Sequence, residues 1–509
     1  MGLQYNELTA AERRLLTAAN NNNFWEPGDG ISESLQDGGS WGEGRQIRGR
    51  FISELLSGLW SDRVPSMRQV SIKEARIVGE IELSGVHLTG ALNLVKCYIE
   101  DHIDLEHAEA SAITIENCWL MGGNESSRAL SGDGLTVTND FMFIGNRVIG
   151  MIYLGDAKIG GALSMVGSRL QSSRRREYPD GALNAQRAEV GGITLLRYGF
   201  EADWVVLTGA HLAAHLSIID ANIGHPTPKE VLTLNQAIIA GGVALSSGTR
   251  ISGAVSFDGS SITGGLKING IIGDADRGGI SFRSASIDTF HLQEQATING
   301  LVDLNHAAIR VLDDSVASWP NRVDLAGLSY TALTEDPRDG HRDRLAWIRK
   351  QEGGSIPYPY EHLARIYRES GRTDDARRIL IAMHDDARSH LSLLGRLWSR
   401  VTRALVGYGY QPWLAGAWLT GLITIGTVVF ALQQPENIQL IKPDEGHPAF
   451  NPFIYSLDLT VPIVNLGHKQ FFVANGFAGV WSWISTAAGW IFSTALAASL
   501  AGFVKRDGV

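Results

Sequence analysis

The stretch IELSGVHLTGALNLVKCYIEDHIDLEHAEASAITIENCWL, residues 81–120, carries the short repeat that decides the fold. Apolar or small residues come in pairs separated by one residue, and successive pairs begin five or six residues apart. The pairs are Ile81/Leu83, Val86/Leu88, Leu92/Leu94, Cys97/Ile99, Ile103/Leu105, Ala108/Ala110, Ile113/Ile115 and Cys118/Leu120. Because alternate residues of a strand point to the same side, each pair predicts a very short strand with two inward side chains.

Four such pairs take about 21 residues, which predicts one turn of a right-handed, four-sided β-helix. The phase continues with interruptions, so residues 68–330 are predicted to form a mainly β rod. Its ends need covers because they expose unpaired strand edges. We predict a helical cap over residues 1–67, on the basis of Thr9 and Glu12 at capping-box spacing and of a second apolar helical face. That face is Ile47, Phe51, Ile52, Leu55 and Leu56, and the asparagine-rich segment 20–30 between the two helices is predicted to be a loop.

Two features of the rod suggest sites. The largest interruption, residues 171–182, carries Arg174, Arg175 and Arg176, which are candidate contacts for lipid or a partner; the alternative is a solvated loop. Cys97 and Cys118 lie four faces apart and are predicted to stack as buried hydrophobic side chains. No further ligand residues lie near them, so we expect no metal site.

Residues 331–390 are predicted to form a helical hairpin. Tyr360, Leu363, Ala364, Tyr367, Gly371, Ala376 and Leu380 follow the spacing of one tetratricopeptide repeat. Residues 391–411 are predicted to form a basic amphipathic helix next to a membrane, with Arg396, Arg400 and Arg403 as candidate contacts for lipid or a partner. The letters VGYG at 406–409 also occur in potassium-channel filters. Because they precede the first apolar segment, we interpret them as a turn that ends this helix.

Residues 412–509 are predicted to hold two transmembrane helices. The apolar runs near 413–432 and 480–503 contain no charged residue and are long enough to cross a bilayer. Arginines precede the first run and Lys505 and Arg506 follow the second, whereas the connecting segment has more acidic than basic residues. The positive-inside rule therefore places both termini and the rod in the cytoplasm of a multi-pass inner-membrane protein. The N-terminus lacks the features of a signal peptide.

The segment FNPFIYSLDLTVPIVNLG, residues 450–467, lies between the two runs and is broken by prolines. One interpretation is an interfacial helix on the outer leaflet. The other is a re-entrant loop over 449–467 that lines a pore, which would require a homo-oligomer and would make Asp458 an intramembrane charge. The candidate residues of this loop are Tyr455, Ser456, Asp458, Thr460, Pro462 and Asn465.

The order of these parts resembles a family of bacterial membrane proteins with pentapeptide-repeat-like rods and two C-terminal spans. The resemblance is sharpest in residues 323–333, 358–380, 406–413 and 450–467. Members are commonly labelled membrane-associated oxidoreductases, but the family brings no site residues to this chain. The sequence has no G-x-G-x-x-G between a strand and a helix, no C-x-x-C and no haem-attachment motif. We therefore predict that it is not an enzyme and uses no cofactor.

Two functions fit these observations. In the first, a cytoplasmic rod recognises a protein partner or ligand and regulates a two-span, pore-forming membrane domain. In the second, the spans only anchor a scaffold or interaction module. The net charge of −10 over 509 residues, with no basic face, argues against nucleic acid as a partner.

Overall fold

The computed structural model describes residues 2–27, 34–122, 128–171, 182–225, 230–274, 278–334, 340–388, 392–411, 413–433, 436–441 and 448–506. The chain divides into two compact units, Met1–His362 and Leu363–Val509. The first unit is largely parallel β-sheet and the second is largely helical. The division falls inside the predicted helical hairpin of residues 331–390.

The strands of the first unit pair in parallel with strands one repeat further along the chain. Ile81, for example, pairs with Ile103, 22 positions later. Among the described residues the pairings form four series. The first series contains Ile81–Glu82, Ile103–Asp104, Arg128–Ser131, Met151–Tyr153, Leu183–Asn184, Val205–Val206, Glu230–Thr233, Ala254–Ser256, Ile280–Ser281, Leu301–Asp303 and Arg322–Asp324. The second contains Phe24–Trp25, Gln69–Lys73, Ala91–Val95, Ile113–Glu116, Phe141–Ile144, Leu163–Ser164, Thr194–Ala202, Leu216–Gly224, Val243–Ser246, Leu266–Ile268, Ser286–Leu292, Ala308–Asp314 and Ser329–Thr334.

The remaining strands complete the other two series. The third contains Gln46–Arg48, Arg76–Val78, Tyr98–Ile99, Trp119–Leu120, Arg147–Ile149, Arg169–Gln171, Arg250–Ser252, Ile271–Ile272 and Thr297–Ile298. The fourth contains Glu109–Ala110, Thr136–Val137, Lys158–Ile159, Glu189–Val190, His211–Leu212, Ile238–Ile239 and Ser261–Ile262. The long strands Thr194–Ala202 and Leu216–Gly224 also continue the third series, and Ser286–Leu292, Ala308–Asp314 and Ser329–Thr334 continue the fourth.

The paired residues of the repeat are buried as predicted. Of the sixteen residues predicted to point inward between residues 81 and 120, all are buried except Val86, which is partly exposed. The short strands are possible because the chain turns sharply between them. Several turns place non-glycine residues such as His107, Asp156 and Gln236 in the left-handed region of backbone space. Side chains support these turns: Asp104 Oδ1, for example, accepts the N–H of Glu106 at 2.9 Å.

The two cysteines begin a buried polar ladder. The N–H of Cys97 donates to Cys118 Sγ at 3.2 Å, so the predicted stacking is confirmed. The N–H of Cys118 donates to Asn146 Oδ1 at 2.7 Å, and the N–H of Asn146 donates to Ser168 Oγ at 3.1 Å. Each side chain thus partners the backbone of its neighbour, which satisfies polar groups inside an apolar core.

The N-terminal segment contains helices α1 (Ala10–Asn20) and α2 (Gly49–Leu56). Thr9 and Glu12 form the predicted capping box. Two expectations for this segment were wrong. Phe24–Trp25 is a strand rather than a loop, and Ile47 lies in a strand rather than on the helix face. Both strands join the sheet through parallel pairing with residues 71–72 and 76–78, which local sequence does not reveal.

The end of the strand series is covered by α3 (His341–Ile348). Arg344 of this helix is fully buried, and its guanidinium binds both carboxylate oxygens of Asp314, at 2.8 and 2.9 Å. The indole N–H of Trp319 donates to the same carboxylate. The ring of Trp319 stacks on Phe290, with centroids 5.9 Å apart, and lies 5.3 Å from the Trp347 ring. A buried ion pair and three aromatic rings therefore close the core.

The other helices are α4 (Pro357–Glu369), α5 (Thr373–Ala387), α6 (Leu393–Val406), α7 (Trp413–Leu432), α8 (Pro452–Thr460), α9 (His468–Phe471) and α10 (Gly476–Arg506). Strands Ile438–Leu440 and Phe472–Ala474 pair in an antiparallel manner. The predicted helix pair is present as α4 and α5, with Gly371 left-handed between them. Helix α6 ends at Gly407, also left-handed, which confirms that VGYG ends the basic helix. Helix α7 has the predicted bounds of the first span, and α10 includes the second predicted segment.

Candidate functional site in the helical unit

Helix α8 begins and ends where its sequence dictates. The Asn451 side chain accepts the N–H groups of Phe453 and Ile454, at 3.0 and 3.2 Å, and Pro452 occupies the first turn. Both features favour a helix start. Val461 is extended because Pro462 follows it, and the helix therefore stops at Thr460.

Four of the predicted site residues come together on α8. Tyr455, Ser456, Asp458 and Thr460 are all buried. The Tyr455 ring meets the Phe430 ring edge to face, with centroids 4.9 Å apart, and the Ser456 hydroxyl donates to the Ile423 carbonyl at 3.0 Å. Both partners belong to α7, so α8 is fixed against that helix.

Two glycines allow this close packing. A Cβ atom on Gly426 of α7 would lie 2.3 Å from Ser456 Oγ, and one on Gly489 of α10 would lie 1.9 Å from the Thr460 carbonyl oxygen. Any larger residue would push α8 away. Small residues at helix contacts are the usual means of close approach in membrane proteins.

Asp458 is buried and uses both carboxylate oxygens inside the chain. Oδ1 accepts the N–H of Leu466 and Oδ2 accepts the N–H of Lys469, each at 3.0 Å. Lys469 Nζ lies 3.6 Å from Oδ1. Within one copy of the chain the carboxylate therefore holds the turn after α8 closed.

The other two predicted residues of this loop lie on that turn. Pro462 is partly buried and Asn465 is exposed, with Asn465 Oδ1 accepting the N–H of Gly467 at 3.3 Å. Beside them, Ile463 is 85% exposed. The turn thus presents apolar surface beside the exposed Asn465, whereas the polar side chains of Tyr455, Ser456, Asp458 and Thr460 on α8 are buried.

Of the six arginines predicted to contact lipid or a partner, the structure describes three. Arg396, Arg400 and Arg403 are exposed on α6, and Arg403 forms an ion pair with Asp385 at 2.7 Å. Arg174, Arg175 and Arg176 lie outside the described residues. Helix α6 also exposes an apolar row made of Leu394, Leu397 and Val401. The spacing of this row places it on one helix face beside the arginines, as an interfacial helix requires.

Sequence reasoning missed a polar junction around Tyr408. This residue is left-handed, and its hydroxyl lies 2.7 Å from Arg388 Nη2, 2.7 Å from Ser399 Oγ and 3.1 Å from Asp385 Oδ1. The hydrogen bond with Tyr408 holds the pKa of Arg388 above its ordinary value. The Tyr408 ring also stacks on His384, with centroids 4.8 Å apart. Helices α5 and α6 are thereby joined to the turn that precedes α7.

The described residues offer little support for metal or thiol chemistry. They contain no group of three or more His, Cys, Asp or Glu side chains that could hold a metal ion. Burial raises the pKa of the Cys118 thiol well above its ordinary value, and the side-chain contact with the Cys97 thiol acts in the same direction. A thiol that stays protonated is a poor nucleophile.

Within the described part of the chain, α7 is the one helix long and apolar enough to cross a membrane by length and composition. A scan against protein-family models and searches of curated proteins and of solved structures found no match to this chain.

Proposed function

We propose that this chain is a bacterial inner-membrane protein in which a cytoplasmic β-helix rod recognises a partner and regulates a two-span membrane domain. The rod is a right-handed, four-sided, pentapeptide-repeat-like β-helix. Four series of parallel strands, most of them two to five residues long, support this architecture. Left-handed residues at the turns support it as well.

The apolar surface of α7 is the observation that carries the membrane assignment. Only 22% of its most apolar stretch of 18 residues is buried. Trp413, Ile425, Val428 and Leu432 are exposed. In a soluble protein a helix this apolar would be buried, whereas lipid can solvate such a surface. Helix α10, which exposes Trp483, Ile484, Trp490 and Ile491, is proposed as the second span.

The proposed orientation follows from charge. Arginines on α6 precede the first span, and Lys505 and Arg506 end the second, so both termini and the rod are assigned to the cytoplasm. The exposed apolar row and arginines of α6 suit contact with anionic lipid at the inner leaflet.

The rod offers one surface suited to recognition. A groove of about 590 Å³ runs along the fourth strand series, with Lys158, Glu189, His211 and Ile238 on its lining. Glycine and alanine residues lie between these side chains on the lining. We propose this groove as the contact surface for an unidentified protein or ligand.

We further propose that the membrane domain forms a pore. It requires a homo-oligomer, with α8 and the following turn acting as a re-entrant element. The alternative is a membrane-tethered scaffold without conductance. The internal bonding of Asp458 favours this alternative, since a carboxylate that holds its own turn closed is poorly placed to attract ions.

Labelling from outside the cell tests the orientation. Gln439 and Ser286 are exposed, so each is replaced by cysteine and treated with a membrane-impermeant thiol reagent. Gln439→Cys is expected to react in intact cells and Ser286→Cys only after lysis. The native cysteines are buried and give a low background. Reaction of both positions on the same side of the membrane would reject the proposal.

Measurement of ion flux in liposomes distinguishes a pore-forming membrane domain from a scaffold that is only anchored in the membrane. Purified protein is reconstituted at increasing density, and flux is compared between wild type and Asp458→Ala. A protein-dependent flux that Asp458→Ala changes supports the pore. Absence of flux at every density supports the scaffold.

A further inference from the structure

One face of α10 carries polar groups toward the interior of the helical unit. Trp481, Ser485, Gly489 and Ser493 are spaced four residues apart, so they lie on one side of the helix. Gly489 lies against the Thr460 carbonyl. At the other end, the Gly426 Cβ position would be 3.3 Å from Trp481 Nε1 and 2.3 Å from Ser456 Oγ. This face therefore meets α8 at Gly489 and α7 at Trp481.

The polar atoms along this face lack partners within the described protein. Trp481 Nε1, Ser485 Oγ, Ser493 Oγ and, on the opposite helix, Thr460 Oγ1 are buried and form no hydrogen bond. Ser485 and Thr460 are fully buried residues. Burying such groups without partners costs free energy, so an occupant that can bond to them is expected.

Neighbouring hydroxyls on the same helix behave differently. Ser482, Thr486 and Thr494 donate to backbone carbonyls of α10 three or four residues earlier, at 2.7–2.8 Å. This local bond is the ordinary solution for a helical hydroxyl in an apolar setting. The Ser485 and Ser493 hydroxyls, on the face that carries Gly489, lack this bond.

We propose that the seam where α8 packs on α7 and α10 binds ordered water molecules. We define the seam by Trp481, Ser485 and Thr460. The indole N–H can only donate, whereas the hydroxyls can donate and accept, and water serves both kinds of group. A bare cation would meet the positive end of the N–H dipole, and a lipid chain would leave every group unpaired.

What the seam means for a membrane domain rests on the proposed function. If the helical unit spans a membrane, this seam gives it a polar interior that does not involve Asp458. Water at membrane depth is compatible with polar groups that line a cavity inside protein.

Hydroxyl-radical footprinting of the full-length protein in detergent tests the seam. Brief X-ray radiolysis produces radicals from water next to a side chain, and mass spectrometry measures the oxidation of each tryptophan. Trp25 is the reference, because it is buried and its Nε1 donates to the Ala11 carbonyl at 3.0 Å. Trp481 is expected to be oxidised at least fivefold faster than Trp25.

A pair of variants isolates the contribution of the seam. Thr460→Val with Ser485→Ala removes two hydroxyls, and oxidation of Trp481 is expected to fall at least threefold. Thr486→Val is the matched control, since its hydroxyl is bonded within α10, and it is expected to leave oxidation unchanged.

Equal slow oxidation of Trp481 and Trp25 in wild type would overturn the seam. The same conclusion follows if the double variant folds and Trp481 oxidation stays at the wild-type rate. If the double variant does not fold, the single variants Thr460→Val and Ser485→Ala are compared with wild type in the same way, because Trp481 is partly exposed and its wild-type rate alone does not report on the seam. The measurement is independent of orientation and flux, so failure of the proposed function leaves it interpretable.

Discussion

Arg344 and Asp314 form a bidentate ion pair from which solvent is wholly excluded, at the end of the parallel strand series. Both side chains have zero exposure, and the two N–O distances are 2.8 and 2.9 Å. Ion pairs elsewhere in the first unit, such as Arg310 with Asp288, are partly exposed. The two kinds of pair are expected to respond differently to mutation.

Arg344→Met is expected to lower the free energy of unfolding of the first unit by about 3–5 kcal/mol, because it leaves the Asp314 carboxylate buried and uncompensated. Urea denaturation of the full-length protein, followed by the fluorescence of the tryptophans near this pair, measures the loss. Adding Asp314→Leu to Arg344→Met is expected to restore much of it. Arg310→Met is the control and is expected to change stability little. A similar loss in both single variants would contradict the prediction.

Glu12 is expected to make the stability of the N-terminal helical segment depend on pH. Burial raises its pKa, but hydrogen bonds from Arg48 and from the Thr9 N–H outweigh burial, and the net pKa is lowered. A lowered folded pKa stabilises the protein above the unfolded value, and this stabilisation is lost as pH falls through the folded value. The acid limb of the stability curve should therefore flatten in Glu12→Gln.

The size of this effect can be bounded. Glu12→Gln is expected to cost about 1.5 kcal/mol at pH 7, the low end for charged hydrogen bonds, because the Arg48 side chain is 39% exposed. The difference from wild type should shrink below pH 4. Denaturation curves from pH 3 to 8 check both statements, and a difference that does not vary with pH would contradict them.

Gly489→Ala is expected to displace α8 from α10, because its Cβ would lie 1.9 Å from the Thr460 carbonyl oxygen. Overpacking of this kind costs about 1–3 kcal/mol. Thermal unfolding in detergent measures the change. Gly421→Ala is the matched control, since no atom lies within 4 Å of its Cβ position, and it should be tolerated. Equal behaviour of the two variants would refute the packing described for α8.

Tyr408→Phe is expected to loosen the junction of α5, α6 and the turn before α7, because the hydroxyl bonds Arg388, Ser399 and Asp385. Loss of these charge-assisted bonds should cost about 1.5–3 kcal/mol. Limited digestion with trypsin should then cut at Arg388 more rapidly. Tyr410→Phe is the control, since its ring lies 6.1 Å from that of His384, at the edge of this group. An unchanged cleavage rate in Tyr408→Phe would show that the junction is not held by this hydroxyl.

The sequence by itself determined the parts of the protein that depend on local periodicity. Alternating inward residues predicted the short strands and their burial, because the side chains of a strand alternate between two faces. A charge-free run gave the bounds of α7, and Gly407 marked the end of α6 because glycine readily adopts the left-handed conformation. The capping box at Thr9 and Glu12 is local in the same way.

Only the tertiary structure decided features that depend on contacts between distant residues. Phe24–Trp25 and Ile47 became strands because they pair with residues about 30 to 50 positions away, and pairing of this kind overrides weak local preferences. In the sequence Asp458 is the one charged residue of segment 450–467, either at the outer leaflet or within the membrane, but the fold supplies it with two N–H donors and Lys469. The four-residue spacing of Trp481, Ser485 and Ser493 was present in the sequence. Which face of α10 meets α8, and therefore which hydroxyls are buried without a partner, is fixed by packing around Gly426 and Gly489.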